Sequence, residues 1–136
     1  MSPEPQIGQP IPNAHLAKID ERKFTRYALD PDSDGGKDKA VVFKSALGFE
    51  RDHWEILRDR IITDLHLRPV TGASSGPYTT FEVLVLIDGL NGRRAWVVTA
   101  WEMRDGVPWL ATLRVATNAW QKRLDAAYPE ARPGTS

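Results

Sequence analysis

The run Phe81-Glu82-Val83-Leu84-Val85-Leu86-Ile87-Asp88-Gly89-Leu90-Asn91-Gly92-Arg93-Arg94-Ala95-Trp96-Val97-Val98-Thr99-Ala100-Trp101 decides the fold. Two stretches rich in β-branched and aromatic residues flank a turn segment containing Asp-Gly and Asn-Gly, which reads as an antiparallel hairpin. Residues 109–116 have the same character and follow the turn Arg104-Asp105-Gly106. Residues 78–87, 93–103 and 109–116 therefore predict a three-strand β-meander. Alternation along the middle strand sends Arg93, Ala95, Val97, Thr99 and Trp101 to one face and Arg94, Trp96, Val98, Ala100 and Glu102 to the other. Residues 83–87 are apolar on both faces, although a three-strand meander leaves them at an edge. A fourth strand from residues 14–19 is expected to cover that edge, or else a second copy of the chain, which would make a homodimer.

Upstream of the meander the period is helical. Asp20 caps a helix carrying Phe24, Tyr27 and Ala28 on one face, which Pro31 ends. Asp30-Pro31-Asp32-Ser33-Asp34-Gly35-Gly36 has the look of a calcium loop. Counted from Asp30, however, the twelfth position is Val41, which cannot ligate, so this is a solvated loop. Residues 37–47 form a second helix with Val42, Phe43, Ala46 and Leu47 as its apolar stripe and Gly48 at the left-handed C′ position. A third helix starts at a capping box, Asp52 and Glu55, and buries Trp54, Leu57, Ile61 and Leu65. Residues 68–77, rich in Gly and Ser, read as a flexible connector. After the meander, Thr117 or Asn118 caps a short helix with Ala119, Trp120, Arg123, Leu124 and Ala127 at helical spacing. The fold class is α+β: about three helices, an antiparallel meander of three or four strands, and a short C-terminal helix. Residues 11–128 are read as one domain between proline-rich tails at 1–10 and 129–136.

Composition narrows the chemistry. The 136 residues carry 18 basic and 18 acidic side chains, three histidines and no cysteine. That excludes a disulfide scaffold, a thiolate metal site and a cysteine nucleophile. The N-terminus lacks a signal-peptide pattern and no apolar run is long enough to span a bilayer, so a cytoplasmic protein with no membrane partner is expected. With neither half of the chain a polycation, any nucleic-acid contact must be a small, shaped site. Phosphate-loop, dinucleotide, zinc-protease and α/β-hydrolase motifs are missing. His15, His53 and His66 have no ligand spacing, so neither metal nor cofactor is expected.

Two basic groupings remain. Lys37, Lys39 and Lys44 are read at the front of the second helix, where free amides and the helix dipole would make an anion site, and Arg93-Arg94 opens the middle strand. Basic side chains beside aromatic surfaces suit single-stranded RNA. His53, near the start of the third helix, is placed where the dipole disfavours imidazolium and leaves a neutral base.

Several positions carry a resemblance. Ile11-Pro12-Asn13-Ala14, Ala17, Ile19-Asp20, Lys23-Phe24, Tyr27, Lys39-Ala40, Phe43, Leu47-Gly48-Phe49, Asp52 and Trp54, followed by Asn91-Gly92-Arg93, Thr99, Trp101 and Pro108-Trp109-Leu110, resemble a family of small uncharacterised bacterial domains. Members of that family are associated with polymorphic toxins and phage-like proteins. Helices ahead of an antiparallel sheet are also similar to the barnase, EndoU, colicin and RelE group of ribonuclease toxins, an analogy of architecture. The resemblance points to Lys39, Asp52, Arg93, Thr99 and Trp101. The leading expectation is a metal-independent endoribonuclease toxin acting on RNA. Its catalytic residues would be Lys39, His53, Arg93 and Thr99, and its substrate contacts Lys37, Arg94 and Trp101. The alternative is a non-catalytic module that binds a cognate antitoxin, toxin or immunity protein.

Overall fold

The structure, a computed structural model, describes residues 4–129. The outer parts of the tails expected at 1–10 and 129–136, namely 1–3 and 130–136, lie outside the described residues. The architecture is α+β. A 3₁₀ turn (Ala14–Leu16) and a π-helical turn (Phe24–Ala28) lead to helices α1 (Lys37–Leu47) and α2 (Trp54–Leu65). Strands β1 (Val70–Ser75), β2 (Thr79–Asp88), β3 (Arg94–Arg104) and β4 (Val107–Val115) follow, and then helix α3 (Asn118–Ala127). The strands form one antiparallel sheet in the order β1-β2-β3-β4. Among the described residues no helix is long and apolar enough to cross a membrane.

The two-faced apolar character of β2 and β3 has a direct cause, since helices cover both sides of the sheet. On one side Phe43 and Leu47 of α1 and Leu57, Ile61 and Leu65 of α2 pack with Val83, Val85, Val97 and Trp101 into the main core. On the other, Leu84, Trp96 and Val98 pack with Leu124 of α3. Side-chain alternation along β3 thus feeds two cores, as the period-two pattern implies. Thr117 caps α3 by accepting the Trp120 N–H, and Gln121 clamps the backbone of Trp96. Its Oε1 accepts the Trp96 N–H at 2.8 Å and its Nε2 donates to the Trp96 carbonyl at 2.8 Å.

The chain enters and leaves α1 as its sequence dictates. Gly48 takes φ 77°, and its N–H closes on the Lys44 carbonyl at 2.9 Å. That reversal drives Phe49 fully into the core.

Three local expectations are corrected. First, the connector at 68–77 contains β1, and this strand covers the edge of β2. Its side chains from Gly72 onward are too small to write a period-two pattern, so it is held by the backbone ladder, by buried Val70 and by the Thr71 hydroxyl donating to Glu82 Oε1 at 2.9 Å. Second, residues 14–19 form no strand. Asn13 adopts φ 56° and starts a 3₁₀ turn, and only Lys18 reaches the sheet, on the edge of β4 beside Trp109. There the Lys18 N–H donates to the Pro108 carbonyl at 2.9 Å, and the Leu110 N–H donates to the Lys18 carbonyl at 3.0 Å. Third, α2 is not opened by Asp52 and Glu55. Extended Glu50 precedes a 3₁₀ turn (Arg51–His53) that runs into α2, and His53 Nδ1 accepts the Glu50 N–H at 3.0 Å. Asp52 falls inside that turn and cannot cap it.

Candidate functional site

The π-helical turn sets the first functional side chain. Its extra residue is marked by the Leu29 N–H reaching the Phe24 carbonyl five positions back at 2.8 Å, and such π insertions recur at functional sites. Phe24 and Ala28 point into the core while Tyr27 stays half-buried at the rim. The loop then folds back over Tyr27, and glycine permits it. A Cβ on Gly36 would lie 2.0 Å from the Tyr27 carbonyl oxygen, and one on Gly35 would lie 3.2 Å from its ring. Helix α1 starts from that close approach and delivers Lys39, in its first turn, to the phenol.

Lys39 Nζ donates to Tyr27 Oη at 2.6 Å and to Thr112 Oγ1 at 3.1 Å. Thr112 is available because β4 bulges there. Ala100 pairs with Thr112 and Trp101 with Leu110, leaving Ala111 as an extra residue on β4. Leu110 and Leu113 both stay buried while the intervening pair is carried to the rim. The Lys39 ammonium, through its hydrogen bond and its charge, pulls the Tyr27 phenol below its ordinary value. Partial burial opposes this shift, and the Thr112 hydroxyl and the Lys23 charge add to it.

An open depression of about 670 Å³ has Tyr27 and Thr112, the two hydroxyl partners of Lys39, on its wall beside Lys23, Arg22, Arg104 and Trp109. Three cations line it against one carboxylate, Asp20. Arg22 grips Asp20 in a forked pair at 2.6 Å and holds that carboxyl well below the usual range. Lys18 and Arg104 lie 5.6 and 4.9 Å from the Trp109 ring centroid. The arrangement can receive an anion, hold it by cations and a hydroxyl, and exchange a proton with an acidified phenol.

The residues singled out from the sequence do not converge. Lys39 is in the site just described. Thr99 and Trp101 are fully buried: Trp101 Nε1 donates to Thr99 Oγ1 at 2.8 Å, and Thr99 Oγ1 donates to the Val83 carbonyl at 2.6 Å. They tie β2 to the core and cannot meet a ligand. Their alternation was legible, but they face the helices rather than an open surface. Arg93 is exposed in the hairpin that packs on the far end of α1, where the Leu90 N–H meets the Leu47 carbonyl at 2.7 Å. Leu47 lies eight positions beyond Lys39 in the helix, about 12 Å along the axis. Arg94 pairs with Asp88 at 2.6 Å, and Lys37 is exposed at the start of α1. His53 lines a different groove of about 520 Å³ with Leu29, Ala40, Lys44 and Phe49, where its ring serves as a cap. Among the described residues no three His, Asp or Glu side chains are grouped to hold a metal ion.

Tyr27, Thr112 and Arg104 carried no functional weight in the sequence, since Tyr27 matched an apolar helical stripe. The readable signal was the Gly35-Gly36 pair between that stripe and a lysine-bearing helix start.

A family model described as Domain of unknown function (DUF6883) matches residues 10–117. No curated protein and no solved structure matches the chain.

Proposed function

The chain belongs to the DUF6883 domain family, and from the geometry of its rim site we propose that it is a metal-independent endoribonuclease, centred on Tyr27 and Lys39. The observation that carries this reading is the 2.6 Å bond from the Lys39 ammonium to an acidified phenol, Tyr27, that itself stands on the wall of a cationic depression. RNA cleavage needs a base for the 2′-hydroxyl, an acid for the leaving 5′-oxygen and cations for the phosphorane charge. Tyr27, as phenolate, takes the 2′-hydroxyl proton while the O2′–P bond forms. The P–O5′ bond breaks, and Lys39 gives its proton to O5′. The products are a 2′,3′-cyclic phosphate and a 5′-hydroxyl end. Transfer of the proton from Tyr27 to Lys39 across their hydrogen bond restores both groups. Lys23 and Arg104 face the phosphate charge, and Thr112 orients Lys39. The order of helices followed by an antiparallel sheet supports the likeness to ribonuclease toxins, and a bacterial conflict system with a cytoplasmic RNA target and a cognate antitoxin or immunity protein fits it.

The test is incubation of the purified protein with single-stranded RNA and end analysis of the products. Cyclic-phosphate ends that vanish with Tyr27→Phe and Lys39→Ala support the reading. Intact RNA with folded wild-type protein overturns it.

A second reading, a non-catalytic module for a toxin, antitoxin or second copy of the chain, is favoured by one observation. Val41 and Val42 of α1 are 63% and 41% exposed side by side, and β1 presents an exposed outer edge from Ala73 to Ser75. Co-purification of a partner without RNA cleavage selects it.

A further inference from the structure

We infer that Trp109 is a base-stacking subsite, so that the ligand of the rim site is a nucleotide unit of single-stranded nucleic acid, held by its base as well as its phosphate. The inference rests on the ribonuclease reading for the neighbouring phosphate position.

Trp109 differs from the other tryptophans in its surroundings. Trp96 and Trp101 are fully buried, Trp54 stacks on Phe24, and Trp120 lies beside Arg114 away from the depression. Trp109 is half-buried on β4, three residues before Thr112, and lines the same depression as Tyr27 and Lys23. Its position is fixed by backbone, because Lys18 closes the β4 edge on both sides of it through Pro108 and Leu110. The strand under the ring is therefore held in place beside a cationic pocket large enough for a nucleotide.

Arg104, 4.9 Å from the ring centroid, also lines the depression, which Lys18 does not. Arg104 is exposed and also pairs with Glu102 at 3.3 Å. An exposed cation over an aromatic ring strengthens an association about two- to fivefold, whereas a stacked base contributes about five- to a hundredfold. A base therefore displaces the guanidinium from the ring, and the freed Arg104 turns to the phosphate next to it. Stacking uses the π face that every base has, so the subsite discriminates weakly between bases.

The test uses two uncleavable probes of equal charge, a 2′-O-methyl hexa-adenylate and its abasic counterpart. Wild-type protein is expected to bind the base-bearing probe about tenfold or more tightly, with quenching of tryptophan fluorescence. Trp109→Ala abolishes both the preference and the quenching, and Trp109→Phe keeps part of the preference. Equal affinity for the two probes, no binding of either, or a preference that survives Trp109→Ala in a variant that melts like wild type overturns the inference. The two proposals fail separately. A base preference without RNA cleavage leaves the subsite and removes the catalytic reading, and cleavage without a base preference does the reverse.

Discussion

Tyr27 and Lys39, twelve residues apart in the chain, share a 2.6 Å hydrogen bond where the π-helical turn meets the first turn of α1. The bond favours the ionised phenol, so Tyr27 loses its proton before an ordinary tyrosine does at its usual 10.0. Ultraviolet titration should show one of the three tyrosines ionising early, and Lys39→Met should abolish that early step. A lowered folded-state value contributes stability above the unfolded phenol's pKa, and the contribution is lost as pH falls through the folded value. The stability gap between wild type and Lys39→Met is therefore expected to widen on the alkaline side. Cleavage, if phenolate is the base, should rise about tenfold per pH unit below the Tyr27 value.

Gly36→Ala should be severely disruptive despite being the smallest possible enlargement. Its Cβ meets the Tyr27 carbonyl at 2.0 Å, so the loop must move. Overpacking of this kind costs about 1–3 kcal/mol, and the displaced α1 start should also lengthen the Lys39–Tyr27 contact. Denaturant melts and the tyrosine titration read the two effects. Gly35→Ala, with only a 3.2 Å approach to the ring, should be milder in both.

His53→Ala should leave RNA cleavage intact and lower stability by about 1 kcal/mol, because the ring's contact is the Glu50 N–H at the entrance to α2. Loss of cleavage in a stable His53→Ala protein would return the imidazole to the candidate catalytic set.

Thr99→Val keeps the side-chain shape but removes the acceptor for buried Trp101 Nε1. An unsatisfied buried donor costs about 1–3 kcal/mol, so the variant should melt early. Thr99→Ser should restore most of the loss. Cleavage per folded molecule is expected to be unchanged in both.

The sequence was legible where a side-chain pattern had a structural period. Phe43 with Ala46-Leu47, Leu57 with Ile61 and Leu65, and the alternation through Val97 and Trp101 located α1, α2 and β3 because apolar burial imposes those periods, whereas Val42, read into the same stripe, faces outward. Strand β1 escaped because its Gly, Ala and Ser side chains carry no such pattern and only the backbone pairs. The position of Lys39 at the start of α1 was readable, and its partners were not. Tyr27 reads as a core aromatic and does pack against the main core, from its rim, so the pattern hides its hydroxyl, and Thr112 becomes a rim residue only through the Ala111 bulge. Thr99 and Trp101 show the converse, residues with chemical potential that the sheet turns inward.

The Gln121 clamp gives α3 a clock of its own. The Trp96 N–H is held by a helix side chain rather than by a neighbouring strand. Its exchange with deuterated solvent should therefore follow the departure of α3, while the adjacent amides of the β2–β3 ladder wait for the sheet to open. A smaller protection factor at Trp96 than at its ladder neighbours would define α3 as a separate unit of opening, able to come and go over Leu84 and Val98 while the rest of the molecule stays folded.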